Sequence, residues 1–267
     1  MSDSAFIPLG ALLLLLASAA AGAFVQPLLP EPHRSRDTTE AVRTAIVMVV
    51  TFAAVVLGLL TSSASDAFNQ VDARLHGYST VLIQLDEGLR EYGAEAAPLR
   101  QDLRRYTAAA IADTWRQEPP PPGDYYPKNM PAGRAGDLEN RTLGDMLQHI
   151  EIALRRMDPA DPFHKGLAEE NLKTADRLLD LRWQLIQSVQ GGISLPFLAV
   201  LLLWLVVVFL CLGLSSPRNT LTYTITGLCA VMLVSAVFLL LELEYPFTGF
   251  ITVSSAPLRD ALQHMSQ

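Results

Sequence analysis

The stretch TAIVMVVTFAAVVLGLLTSS, residues 44–63, runs for 20 residues without a Lys, Arg, Asp or Glu. An α-helix needs about 20 predominantly apolar residues to cross the hydrocarbon core of a bilayer. Three more segments of this kind occur at 6–25, 193–214 and 221–241. The sequence therefore predicts an integral membrane protein with four transmembrane helices.

A regular helical pattern continues past the second apolar segment. Apolar or aromatic residues recur there in alternating steps of three and four, at Phe68, Val71, Leu75, Tyr78, Leu82, Leu85, Leu89 and Tyr92. This heptad spacing is typical of one packed face of a long helix. We predict that the second membrane helix extends without a break to about Tyr92, where Gly93 ends it.

Three more helices are predicted between the second and third membrane segments. They cover about 99–115, 137–157 and 163–189, and the proline-rich stretch 117–136 is predicted to be a loop. In the last of these helices the predicted core face consists of Ala168, Leu172, Ala175, Leu179, Trp183, Ile186 and Val189. No segment shows sustained period-two alternation, so we predict an all-α fold with a helical bundle inserted between transmembrane helices 2 and 3.

The predicted domains follow from these segments. Transmembrane helices 1 and 2 occupy 1–63, the extramembrane bundle 64–192, transmembrane helices 3 and 4 193–245, and a C-terminal tail with a short amphipathic helix 246–267. The first apolar segment has two interpretations, because Leu12 to Leu16 followed by small residues resembles a signal-peptide core. It lacks the basic n-region of a signal peptide, which favours a retained helix, and a cleaved signal is the alternative.

Charge and motif content argue against several classes of function. Residues 64–192 hold 15 Lys and Arg against 20 Asp and Glu, an acidic balance that argues against a nucleic-acid partner. The chain has no Gly-rich phosphate loop, no His-Glu-x-x-His and no Gly-x-Ser-x-Gly. The two cysteines, Cys211 and Cys229, lie in apolar segments and have no zinc spacing. We predict no catalytic residue, no metal and no cofactor, and a protein that is not an enzyme.

The second membrane helix carries a stripe of small or polar residues at seven-residue spacing. We call it the polar stripe, and it consists of Thr44, Thr51, Gly58 and Ser65 with Ser62 beside them. Such a stripe lets two membrane helices approach closely, or it lines a pore. In the second interpretation, Phe52 with Val56 and Leu59 forms an apolar constriction. The candidate pore-lining residues are Thr44, Thr51, Phe52, Val56, Leu59 and Ser62.

The end of the fourth membrane helix carries two acidic residues and a bend. Glu242 and Glu244 are two residues apart, so they point in different directions and do not form a facing acid pair. Ionisable groups at membrane depth usually face a cavity or a partner, whereas groups at a helix end can simply be solvated. Both interpretations stay open for Glu242. Pro246, Phe247 and Gly249 follow and bend the chain.

Arginine counts predict the orientation in the membrane. Short cytoplasmic loops carry an excess of Lys and Arg. The loops predicted on one side carry Arg34, Arg36, Arg43 and Arg218, whereas the tail on the other side carries Arg259. This count predicts that the bundle lies on the extracytoplasmic side.

Several short stretches resemble a known family. They are VLGLL at 56–60, LDEGLREYG at 85–93 followed by Arg100, SPRNT at 216–220, EYPFTGFI at 244–251 and VSSAPL at 253–258. These are similar to the bacterial membrane family labelled bestrophin-like domain, and Glu242, Glu244, Pro246, Phe247 and Gly249 belong to its tail motif. The resemblance implies a distant relation to the bestrophin anion channels, which are pentamers lined by their second helix. It also implies a cytoplasmic bundle, opposite to the arginine count.

Two functions of different classes remain at this stage. The first is an oligomeric ion channel of bestrophin-like type in the bacterial inner membrane, which contacts lipid and conducts halides or other small anions. The second is a membrane-anchored scaffold or sensor whose bundle binds a protein partner. The observation that favours this second function is the heptad helix that continues directly from the second membrane helix.

Overall fold

The described part of the chain is helical, as the sequence predicts. The structure, a computed structural model, describes residues 3–30, 36–128, 140–190, 195–217 and 219–267. Its α-helices are α1 (Asp3–Val25), α2 (Arg36–Tyr92), α3 (Ala97–Thr114), α4 (Arg141–Arg155), α5 (Pro162–Gln190), α6 (Leu195–Ser215), α7 (Thr220–Glu244) and α8 (Ala256–His264). No strand occurs within the described ranges. Some predicted features lie outside the described ranges, namely Arg34, Arg218, residues 129–139 and residues 193–194.

Four helices are long and apolar enough to cross a membrane. They are Phe6–Leu28, Asp37–Tyr92, Pro196–Ser215 and Thr220–Glu244. The predicted fold class, an all-α membrane protein with four spans and a helical insertion, is therefore confirmed. The second span is part of a single helix of 57 residues, which confirms that α2 continues through the heptad region. The helix stops where Gly93 adopts φ +99°, a backbone conformation that favours glycine.

The chain forms two compact units. The first consists of Met1–Asp66 and Gly192–Glu244. Its buried side chains come from α1, α2, α6 and α7, and include Leu15, Ala53 and Phe209. Large apolar side chains such as Phe197 are exposed on its surface, as expected for helices that face lipid.

Within this unit α1 and α6 cross in close contact at two glycines. A Cβ placed on Gly22 would lie 2.2 Å from the backbone oxygen of Leu210, and one placed on Gly213 would lie 2.1 Å from that of Ala19. Small residues at a crossing let two membrane helices pack backbone against backbone. The crossing therefore depends on the absence of both side chains.

The second unit consists of Ala67–Gly191 and Tyr245–Gln267. It is a helical bundle built from the C-terminal part of α2 together with α3, α4, α5 and α8, and its core includes Leu82, Leu103 and Ile150. The N-termini of two of its helices are capped by side chains. Asn140 Oδ1 accepts a hydrogen bond from the amide of Thr142 at the start of α4, and Asp161 Oδ1 accepts from the amides of Phe163 and His164 at the start of α5.

Most of the predicted core face of α5 is buried or half-buried, and Trp183 is the exception. Ala168, Ala175 and Ile186 are buried, whereas Trp183 is 49% exposed. The helix also buries four residues that the predicted face did not include, which are Asn171, Leu178, Arg182 and Leu185. Because Asn171 and Arg182 are polar, the apolar spacing did not indicate their burial.

Candidate functional site

The polar stripe of α2 lies on the side of the helix that faces away from the core of its own unit. Ala53 and Ala64 are buried, at 4% exposure each. Ala53 follows Thr44 by nine residues, about two and a half helical turns, so the two lie on opposite faces. Thr44, Thr51 and Ser62 are exposed. The stripe is therefore available to lipid or to another copy of the chain.

The threonine hydroxyls of the stripe are satisfied within the helix. Thr44 Oγ1 donates to the carbonyl oxygen of Glu40 at 3.0 Å, and Thr51 Oγ1 donates to that of Val47 at 2.8 Å. Each hydroxyl has one proton, which these bonds use. The stripe thus presents methyl groups and hydroxyl lone pairs outward, a weakly polar surface without free donors at these two positions.

The residues of the predicted constriction lie beside the stripe. Phe52 and Leu59 are each 67% exposed, and they are seven residues apart on the same side of α2. Val56 is half-buried and lies further round towards the core face. Phe52 and Leu59 therefore form one apolar ridge next to the stripe, and Val56 is set back from it.

The tail motif is divided between the end of α7 and the start of the tail, residues 245–267. Glu242 is 2% exposed and Glu244 is half-buried. Burial excludes simple solvation of Glu242. Pro246 is buried in the bundle unit, where its carbonyl oxygen accepts a hydrogen bond of 2.7 Å from the amide of Val253. Gly249, which lies between Pro246 and Val253 in the chain, has φ +115°, so the loop needs a residue without a Cβ at this point.

Trp115 at the end of α3 fixes this loop to the bundle. The ring of Phe247 packs edge-to-face on Trp115, with ring centroids 5.4 Å apart, and Trp115 Nε1 donates to the carbonyl oxygen of Val253 at 2.8 Å. Arg259 of α8 forms a salt bridge of 3.0 Å with Glu118, and His264 Nε2 lies 3.1 Å from Glu87 of α2. The sequence alone predicts no such role for Trp115, although a lone tryptophan just before a proline-rich loop is a signal for it.

The bundle also contains a buried ion pair that connects α2 with α3. The Asp86 side chain is 0% exposed. Arg100 donates to both of its oxygens at 2.9 Å, and Arg90 makes a longer contact of 3.4 Å. The hydrogen bond to Asp86 raises the pKa of Arg100. A buried carboxylate is tolerated when it is paired and hydrogen-bonded in this way.

A second buried cation, Arg182 of α5, lies beside two tyrosines. The hydroxyls of Tyr78 in α2 and Tyr106 in α3 are hydrogen-bonded to each other, and Arg182 bonds to Tyr106. Burial raises the pKa of Tyr106, and the positive charge of Arg182 opposes this rise. These three side chains line a cavity of about 40 Å³ together with Trp115.

Acidic and nucleophilic side chains are dispersed in the described residues. Within those ranges no three His, Cys, Asp or Glu side chains come together as metal ligands. Cys229 is exposed and Cys211 half-buried, and both are free thiols.

Comparison with known proteins identifies a family and a fold. A family model described as Bestrophin-like domain matches residues 12–258. Three crystal structures of variants of a bacterial bestrophin homologue from Klebsiella pneumoniae are similar to this chain. One is 14% identical with a TM-score of 0.66, and a second is 15% identical with a TM-score of 0.63; in both cases 100% of each chain is covered. The third is 15% identical with a TM-score of 0.64, covering 96% of this chain and 98% of its own.

At these identities the likeness shows the fold. None of the proteins with curated descriptions matches the sequence.

Proposed function

Because the chain belongs to the bestrophin-like family, we propose that it is an oligomeric, anion-permeable protein of the bacterial inner membrane. Bestrophins are anion channels lined by their second helix, and the proposal carries this property over to α2. Several copies would surround a pore, with Thr44, Thr51 and Ser62 facing its axis. The observation that carries the proposal is the exposure of this stripe opposite the core face of the same helix.

The lining chemistry suits a weakly hydrated ion. Phe52 and Leu59 are exposed apolar residues on one ridge of α2, and a ring of such residues forms a hydrophobic constriction that conducts only when it is wet. Halides and other small monovalent anions lose their hydration shell at less cost than multivalent anions do. The proposed permeant ions are therefore halides and anions of similar size and charge.

Assembly into a homo-oligomer is part of the proposal, because one copy of α2 cannot enclose a pore. Mass measurement of the purified protein in mild detergent and in lipid nanodiscs tests this point. We expect a defined homo-oligomer in both. A strict monomer in both would exclude a pore lined by α2.

Substituted cysteines test whether the stripe faces water. In a Cys211→Ser and Cys229→Ser background, Thr51→Cys is treated with a small, charged, membrane-impermeant thiol reagent. We expect Thr51→Cys to react, since a pore brings water to this depth. Met232→Cys on α7, where Met232 is 71% exposed, is the control and should stay unmodified in lipid. Equal protection of both cysteines would contradict the pore.

The orientation of the bundle is decided by a separate experiment. The arginine count favours an extracytoplasmic bundle, whereas the family implies a cytoplasmic one. The tail lies in the same unit as the bundle, so a reporter fused after Gln267 reports on both. Fluorescence of a green fluorescent protein fusion would place the bundle in the cytoplasm, and activity of an alkaline phosphatase fusion would place it outside.

A membrane-anchored scaffold or sensor is the second candidate function. The observation that favours it is the single helix α2, which has 57 residues and contributes to both units. A rigid helix of this kind can transmit a displacement from one end to the other. If the protein is a scaffold or sensor, halide flux would be absent and the bundle would bind a protein partner. Halide flux through the purified protein in liposomes separates the two candidates.

A further inference from the structure

The two tyrosine hydroxyls that line the bundle cavity have one more proton to donate than the bond between them uses. Tyr78 and Tyr106 share one hydrogen bond, although each hydroxyl has its own proton. One of the two protons lies between the oxygens, so the other remains to donate. Arg182, which bonds to Tyr106, has no acceptor atom. Across the described residues, no further acceptor for either hydroxyl is found, so one buried O–H is left for an occupant of the cavity.

This donor is buried deeply enough for its pairing to matter. Tyr78 is 3% exposed, Tyr106 2% and Arg182 8%. A buried donor without an acceptor destabilises the fold, so the fold gains from any acceptor that fits the space. The cavity has a volume of about 40 Å³. A water molecule needs about 30 Å³ in the liquid, and chloride and bromide ions are close to it in size.

The charge around the donor favours an anion as the acceptor. The guanidinium group of Arg182 is at the cavity wall, and its positive charge acts on both tyrosine hydroxyls. Arg182 also donates to the carbonyl oxygen of Asn140 at 3.1 Å. Asn140 in turn donates to Asp113 at 2.9 Å, and the Asp113 carboxylate is paired with Arg116 at 2.6 Å. The Asp113 carboxylate, which is the acidic group of this network, is thus paired with Arg116.

We propose that the cavity between α2, α3 and α5 is a binding site for one small monovalent anion, held by Arg182 and by a tyrosine hydroxyl. The rest of the wall is mostly apolar and includes Leu75 and Leu185. Arg182 supplies a single positive charge in a mostly apolar wall, which favours a monovalent anion over sulfate or phosphate, and chloride, bromide and nitrate are the class that fits. The site belongs to the bundle unit, and anion binding there is independent of the proposed pore along α2.

Trp115 provides a direct readout, because it lines the same cavity and is 5% exposed. The chain has three tryptophans, so the variant Trp183→Phe/Trp204→Phe leaves Trp115 as the only one. Bromide, which quenches tryptophan by contact, is titrated into the purified full-length protein at constant ionic strength with gluconate as the replacement anion. We expect quenching that saturates, and competition by chloride but not by sulfate.

Two further variants identify the groups that bind, and a third is their control. Tyr78→Phe/Tyr106→Phe removes both hydroxyls and keeps both rings, and Arg182→Met removes the charge. Each should weaken bromide binding by about tenfold or more, as expected for the loss of a hydrogen bond to a charged group. The matched control is Arg74→Met in α2. Arg74 donates to the carbonyl oxygen of Gln184 at 2.7 Å and does not line the cavity, so bromide affinity should not change.

Quenching that rises linearly with bromide and is the same in all variants would overturn the proposal and leave water as the occupant. Anomalous diffraction from crystals grown in bromide gives an answer that does not depend on the variants. A bromide peak within hydrogen-bond distance of Arg182 supports the site, and a cavity without anomalous signal overturns it. Neither result depends on ion flux, so failure of this site and failure of the pore are distinguishable.

Discussion

At the scale of single residues, the buried carboxylate of Asp86 is the most sensitive position in the bundle. Its side chain is fully buried and its bidentate partner is Arg100. Removing Arg100 leaves a buried charge with only the 3.4 Å contact from Arg90. We predict that Arg100→Met lowers the free energy of unfolding by about 3 kcal/mol, measured by chemical denaturation in detergent.

The matched control removes a cation from an exposed pair. Lys128 forms a salt bridge with Asp124, and both side chains are largely solvated. Because exposed ion pairs contribute little, Lys128→Met should leave the unfolding curve unchanged. Equal effects of Arg100→Met and Lys128→Met would contradict the assignment of Asp86 and Arg100 as a buried pair.

Tyr106 makes the bundle sensitive to alkaline pH. Burial raises its pKa above the ordinary tyrosine value of about 10. Above that pH the unfolded chain loses the proton while the folded chain keeps it, so the free energy of unfolding falls as pH rises; below pH 10 the contribution is fully present. We predict a smaller fall for Tyr106→Phe than for the natural protein between about pH 9 and about pH 11. Parallel curves would show that Tyr106 titrates alike in both states.

At the scale of elements, the crossing of α1 and α6 leaves no space for an added side chain. A Cβ on Gly213 would lie 2.1 Å from a backbone oxygen of α1, and neither backbone can yield without separating the helices. We predict that Gly213→Ala lowers stability by about 1–3 kcal/mol, measured by unfolding in mixed micelles. Gly10→Ala on α1, where the added Cβ meets nothing within 4 Å, is the control. A Gly213→Ala variant as stable as Gly10→Ala would refute the close contact.

Element positions could be predicted from the sequence better than element faces. The long apolar runs and the heptad spacing predicted α2 as one helix because both signals arise from local side-chain periodicity. In α5 the apolar spacing predicted a buried Trp183, which is exposed, and it did not predict the burial of Arg182 and Asn171. Burial of these polar side chains depends on partners in other helices, such as Gly88 of α2, which lies against Asn171. No local pattern contains that information.

At the scale of the whole molecule, the fold class and the family follow from the sequence, whereas the candidate pore follows only in part. The seven-residue stripe was visible in the sequence of α2. The sequence alone could not predict that the stripe lies opposite the buried Ala53 and Ala64, because the exposure of one face of α2 depends on which face the other helices cover. The buried tail, with Trp115 holding Phe247 and Val253, likewise depends on contacts between distant parts of the chain.

Halide flux through the purified protein in liposomes is the most direct test of the proposed pore. Empty liposomes and two variants are measured alongside. Phe52→Ala alters the ridge beside the stripe, and Phe197→Ala removes an exposed phenylalanine of α6 that is 60% exposed, close to the 67% of Phe52. We predict chloride flux above the empty liposomes that changes in Phe52→Ala and is unaltered in Phe197→Ala. Flux no greater than in empty liposomes, from protein shown to be folded and inserted, would contradict the channel and favour the scaffold.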